Sequence, residues 1–180
     1  MKEIVDATHL SKGAFYHYFK SKEQLFLEVV ESIFARIVDL DFSGHISASL
    51  REYCEDYLAR LESTYNTLLA KDVISPSFNL SYYSLLFDAM RFFPDFKQRM
   101  ISSNHAERSE WLEVIGAARR NGEIRSSLSD DQVADIFIHT SGGVGMDNIM
   151  SGSSGTTIDK LRRLWDGFYA SLRPTATPLT

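Results

Sequence analysis

Apolar residues along this chain recur at steps of three and four, the spacing that gathers them on one face of a helix. The clearest run follows Ser21, where Leu25, Phe26, Val29, Val30, Ile33, Phe34, Ile37 and Val38 form two adjacent rows and predict one wide buried stripe. Ser21-Lys22-Glu23-Gln24 has the form of a capping box, so this helix has a marked start. Asp41 to Ser49, with Gly44 inside it, reads as a break. A second helix is predicted from Ile46 to Ala70, with Leu50, Tyr53, Tyr57, Leu61, Tyr65 and Leu68 on one side and Cys54 beside them. A loop around Ser75-Pro76-Ser77 leads to a short aromatic helix from Ser81 to Phe93. Pro94 then fits the first turn of a further helix ending near Asn121-Gly122. Ser129-Asp130-Asp131-Gln132 repeats the capping box and opens a helix holding Val133, Phe137, Thr140 and Val144. Ser151 to Thr157 is a Ser/Gly/Thr loop. The last helix carries Ile158, Leu161, Leu164, Trp165, Phe168 and Leu172 before Pro174. Strand alternation is nowhere convincing, and no internal repeat is found. The predicted fold is all-α, a stack of roughly seven helices.

Charge changes this picture at one end. The whole chain carries net −5, yet residues 1–22 hold four lysines (2, 12, 20 and 22) against Glu3 and Asp6, which leaves +2 there and −7 over residues 23–180. Any basic contact surface is therefore local and lies at the front. The lone Cys54 forms no internal disulfide and suits a reducing compartment. The start has no signal-peptide core, and no run of about 18 uncharged apolar residues spans a bilayer. A cytoplasmic protein is expected.

Residues 1–22 contain a short amphipathic piece (Ile4, Val5, Ala7), a turn near Thr8-His9-Leu10 and a second short helix from Ser11, a helix-turn-helix in outline. In that second helix Phe15 and Phe19 turn inward with Leu10, which puts Lys12, Gly13, Tyr16 and His17 on the outward face. An ammonium and helix N-terminal amides meet phosphate or guanine edges, tyrosine hydroxyls hold phosphates, and Gly13 lets a backbone come close. Lys20 and Lys22 extend the cationic edge.

The sixteen residues from Leu10 to Leu25, LSKGAFYHYFKSKEQL, resemble the recognition-helix signature of the TetR family of transcriptional regulators. The resemblance covers residues 4 to about 30 and implies an all-helical homodimer with a small N-terminal DNA-binding domain and a larger ligand-binding and dimerisation domain. On this chain those units would be residues 1–40 and 41–173, with 174–180 as a tail. By position, the family's base-edge contacts fall on Lys12, Gly13, Ala14 and His17. Its phosphate contacts fall on Tyr16, Tyr18 and Lys22, with Ser11 opening the helix and Lys20 on the same edge. Two departures stand out. His9 occupies a turn position where the family has a small residue, often glycine, and histidine tolerates φ > 0 there better than most residues. The family also places a whole helix before Ile4, so the first 20 residues are expected to be loosely held. Either the protein begins upstream of Met1, or this is a shortened form with impaired operator binding.

The resemblance also implies a homodimer that binds a pseudo-palindromic operator in double-stranded DNA and is released by a small apolar or aromatic effector; in this family it is most often a repressor. The effector pocket would be framed by the helices around Tyr53 to Leu69, Tyr82 to Met90 and Phe96 to Ile115. Seven of the chain's 22 aromatic residues fall within positions 78–96. Tyr53, Tyr57, Leu61, Phe78, Tyr82, Tyr83, Phe87, Met90, Phe96, Met100, His105 and Trp111 are the candidate lining, with plain core packing as the equal alternative for the aromatic cluster. For the dimer interface the last two helices offer Phe137, Ser141, Val144, Gly145, Leu161, Trp165 and Phe168, with intramolecular packing as the alternative. Residues Leu25 to Val38 would transmit the effector signal.

Other chemistries lack their spacings. The five histidines form no His-Glu-x-x-His stretch, and no metal site or cofactor is expected. Gly142-Gly143-Val144-Gly145 follows no strand and precedes no Gly-Lys-Ser/Thr, so Ser141, Gly142 and Gly145 are expected to let helices approach closely. Gly152-Ser153-Ser154-Gly155 is no nucleophile elbow, and no Ser-x-x-Lys occurs. An enzyme is not expected. The competing possibility is a small-molecule or protein-binding helical module that never engages DNA in this shortened form.

Overall fold

The computed structural model describes the backbone of residues 2–9, 11–38, 49–70, 78–151 and 157–174, with side chains over the same residues other than 33–38, 68–70, 78–82 and 149. Among the described residues the chain is eight helices and no strand: α1 (Lys2–Ala7), α2 (Lys12–Tyr18), α3 (Lys22–Val38), α4 (Leu50–Ala70), α5 (Phe78–Phe92), α6 (Pro94–Arg120), α7 (Asp130–Ser151) and α8 (Thr157–Leu172). The all-α expectation is met. The predicted loop at Ser75-Pro76-Ser77 and the tail after Pro174 lie outside the described residues, as does nearly all of the predicted break at 41–49 and loop at 151–157.

Local chemistry sets the helix ends. Ser129 Oγ accepts from the Gln132 amide at 3.2 Å while Gln132 Oε1 accepts from the Ser129 amide at 2.9 Å, a complete reciprocal box at the start of α7. Phe93 is extended because Pro94 follows it, so α5 stops at Phe92 and α6 begins at the proline. The far end of α6 closes with Gly122 at φ 74°, where the Glu123 amide reaches Ala118 O and the Gly122 amide reaches Arg119 O. Helix α4 begins at Leu50, and Ile46, where the sequence placed its start, lies outside the described residues. Ser49 stands before it as a cap, and the Glu123 carboxylate accepts from the Leu50 and Arg51 amides at 3.0 and 3.1 Å and from Ser49 Oγ.

Two apolar clusters result. The larger joins α4, α6, α7 and α8 around Tyr53, Tyr57, Trp111, Phe137, Leu161 and Trp165. Trp111 stacks on Phe137 at 4.8 Å and meets Tyr53 and Trp165 edge to face. The smaller cluster is centred on Val30 of α3, Ala89 of α5 and Phe96 of α6, with Phe26, Met90, Phe93 and Met100 around them. It fixes α3, which follows the helix-turn-helix, against the body. The Phe26–Phe93 ring stack and the Arg99–Glu31 ion pair at 2.7 Å strengthen the same joint. Val29, expected in the buried stripe of α3, is 43% exposed. The side chains of Ile33, Phe34, Ile37 and Val38 lie outside the described residues.

Candidate nucleic-acid interface

Helix α1 ends with the Thr8 hydroxyl donating to Val5 O, and His9 then turns the chain with φ 55°. Histidine is one of the few non-glycine residues found with any frequency in that region, which explains why the turn survives without glycine. Ser11 is extended and caps α2 by accepting from the Ala14 amide at 3.1 Å. From this start the α2 faces follow. Phe15 is fully buried, with the Phe19 ring 5.2 Å away, and Val5 of α1 is buried as well. Ser11, Lys12, Gly13, Tyr16, His17 and Tyr18 are exposed, and Ala14 is half-buried. A Cβ built on Gly13 would touch nothing within 4 Å. The described residues therefore give no packing reason for glycine there, and among them the bare backbone is open to an approach from outside.

Of the three lysines in and just after α2, Lys12 and Lys22 are exposed with no hydrogen bond or ion pair to the described protein, but Lys20 is engaged. Its Nζ donates to Tyr16 O at 3.2 Å and His17 O at 3.0 Å. The sequence placed Lys20 on the cationic edge. In the structure it closes the C-terminal end of α2, because three or four residues is the span over which a lysine tip reaches back to helix carbonyls. Gln24, expected only as a capping-box partner, does more. Its backbone amide donates to Ser21 Oγ, its Oε1 accepts from the Lys20 amide at 2.9 Å, and its Nε2 donates to Tyr18 O and Glu28.

The candidate effector residues are not brought to one place. Tyr53, Tyr57, Trp111 and, at its margin, Leu61 belong to the larger core, whereas Met90, Phe96 and Met100 belong to the cluster beneath α3. Phe87 and His105 are exposed, and the side chains of Phe78 and Tyr82 lie outside the described residues. Tyr57 donates to Glu107 at 2.8 Å and Tyr53 to Glu110 at 3.4 Å. Burial, then the neighbouring carboxylates, push both phenols above their usual range, so they stay neutral donors. Among the described residues the buried Trp111 and Trp165 indole N–H groups have no nitrogen or oxygen acceptor, and the two rings meet edge to face. A groove of about 510 Å³ on α4 is lined by Ala59, Glu62, Ser63, Asn66 and Thr67, none of which the sequence had singled out.

The candidate dimer residues need a correction. Phe137, Val144, Leu161 and Trp165 are buried inside the single chain, so they have no surface left for a second copy. Their large apolar side chains serve the α4–α6–α7–α8 core instead. Phe168 is half-buried against Phe137. Ser141 and Gly145 are half-buried and face α4 and α5 respectively: Ser141 bonds Tyr57, and a Cβ on Gly145 would sit 2.8 Å from Tyr83 Oη. Gly145 thus lets helices approach closely as expected, but Gly142 has open space around it. Sequence periodicity marks a face as apolar without saying which partner covers it. Among the described residues, the exposed large apolar side chains of α7 and α8 are Ile136, Met146, Met150 and Leu164.

Residues 1–29 match the family described as bacterial regulatory proteins, tetR family. The match covers α1, α2 and the first part of α3, 29 of the chain's 180 residues. No curated protein and no solved structure matches the chain. Among the described residues no helix is long and apolar enough to cross a membrane.

Proposed function

We propose that this chain is a ligand-responsive transcriptional repressor that binds a pseudo-palindromic operator as a homodimer through α2. One observation carries the DNA contact: within the family match, Lys12, Gly13, Tyr16 and His17 form a solvent-facing row on a helix whose opposite face is anchored by the fully buried Phe15. Lys12 and Gly13 occupy its first turn, the end of a recognition helix that enters the major groove. Residues 1–40 form the DNA-binding unit and 41–173 the effector and dimer unit. A second copy meets the outward residues Ile136, Met146, Met150 and Leu164, where apolar side chains face water on two neighbouring helices.

An apolar or aromatic effector binds among α4, α5 and α6. It acts only through unequal affinity for two arrangements of the joint beneath α3, where Phe26–Phe93 and Glu31–Arg99 link the two units. The expected result is salt-sensitive binding of the chain to a duplex selected from a randomised pool, with log K falling about 0.9 per phosphate neutralised for each decade of salt. Lys12→Ala and Tyr16→Ala abolish the binding, as titrations of fluorescence anisotropy will show. Failure to select any duplex, or binding indifferent to salt, favours the effector- or protein-binding module without DNA.

A further inference from the structure

A seven-residue helix cannot stand by itself, and its last four carbonyls have no partner within the helix. Helices commonly solve this with a glycine in the left-handed conformation, but Phe19, at the end of α2, is extended. Here every one of the four carbonyls finds a donor. Phe15 O takes the Phe19 amide at 3.0 Å, Tyr16 O and His17 O take the Lys20 ammonium, and Tyr18 O takes Gln24 Nε2 at 3.5 Å. Gln24 belongs to the first turn of α3 and also holds the Lys20 amide through Oε1, so one carboxamide grips both sides of the α2–α3 corner. The Lys20 charge lies at the negative end of the α2 dipole, where a cation is favoured.

We infer that Lys20 and Gln24 are positioning residues for DNA recognition: together they form a side-chain cap that fixes the angle at which α2 leaves α3, and Lys20 does not neutralise a phosphate. The inference rests on the DNA-binding function proposed above. It separates the three neighbouring lysines by role: an ammonium held back on helix carbonyls is not extended toward a phosphate, whereas Lys12 and Lys22 make no hydrogen bond or ion pair to the described protein.

The test uses the full 180-residue chain and the duplex selected from the randomised pool, with affinity measured across a series of salt concentrations. Lys20→Met removes the donors and Gln24→Glu removes the donor to Tyr18 O while keeping the acceptor for the Lys20 amide. Each weakens binding about fivefold and leaves the salt slope unchanged, and Lys20→Arg restores affinity. Lys22→Met instead reduces the slope by about one per bound chain. Circular dichroism identifies any variant whose helices are lost, and in that event Lys20→Arg, which keeps the charge and the donors, supplies the comparison. A reduced slope for Lys20→Met, or unchanged affinity in both cap variants, overturns the inference and leaves DNA binding standing. If the unsubstituted chain selects no duplex, the DNA-binding function falls and this inference falls with it.

Discussion

Gly142 and Gly145 are three residues apart on α7, yet their surroundings differ: open space at Gly142, Tyr83 Oη 2.8 Å from a Cβ at Gly145. Alanine at an open helical position stabilises by about 0.5–1 kcal/mol relative to glycine. Gly142→Ala should therefore raise stability by that amount in urea unfolding, whereas Gly145→Ala should lose the gain, as the half-buried Tyr83 has to shift, leaving it about 1 kcal/mol or more below Gly142→Ala. The sequence foretold a close approach at this glycine-rich stretch but could not say which glycine made it. That depends on where a tyrosine from another helix arrives. The same limit applied to Lys20, whose residue type fits both a phosphate and a row of helix carbonyls. Only the tertiary structure puts its tip on Tyr16 O and His17 O.

At the scale of helices, the start of α4 at Leu50 depends on a residue 73 positions away. Glu123 stands just beyond α6, caps the α4 amides and accepts from the Tyr169 hydroxyl of α8 at 2.9 Å, so one carboxylate joins three helices. Partial burial acts to raise its pKa, but the hydrogen bonds from the Arg51 and Leu50 amides, Tyr169 and Ser49 prevail and the net shift is downward. The sign follows: the Glu123 contribution is fully present above about pH 4.3, the unfolded value, and fades as pH falls through the lower folded one. Glu123→Gln should cost about 2 kcal/mol at neutral pH and reduce this acid-side slope in unfolding titrations. Tyr169 gives the opposite edge. Burial and Glu123 push its phenol up from 10.0 to about 12, so stability should fall as pH rises between those values, and Tyr169→Phe should remove that loss. Nothing around Glu123 in the sequence announces this cap, whereas the box at Ser129 was legible because its partner is three residues away; at Ser21 the Gln24 amide donates to Ser21 Oγ as expected, but Gln24 Oε1 accepts from the Lys20 amide instead.

For the whole molecule, the α7–α8 pair has an inward side and an outward one, and substitution should separate them. Trp165→Ala empties a site touching Tyr57, Trp111 and Phe137 and should cost about 3–5 kcal/mol, seen as a collapse of the thermal transition. Leu164→Glu places a charge on a residue 49% exposed, so the fold should persist while sedimentation shows monomers in place of the proposed dimer. Persistence of a dimer in Leu164→Glu would remove Leu164 from the interface.

Helix-period apolar spacing and near-neighbour caps are local, and they determined the all-α class, most helix boundaries and the outward row Lys12, Gly13, Tyr16 and His17. Contacts between residues far apart in the chain decided the rest. Phe137, Leu161 and Trp165 went to the chain's own core, the candidate effector residues divided between two clusters, and Glu123 set the start of α4. A repeating pattern records that a side chain must leave water, but the packing of whole helices chooses what it meets there.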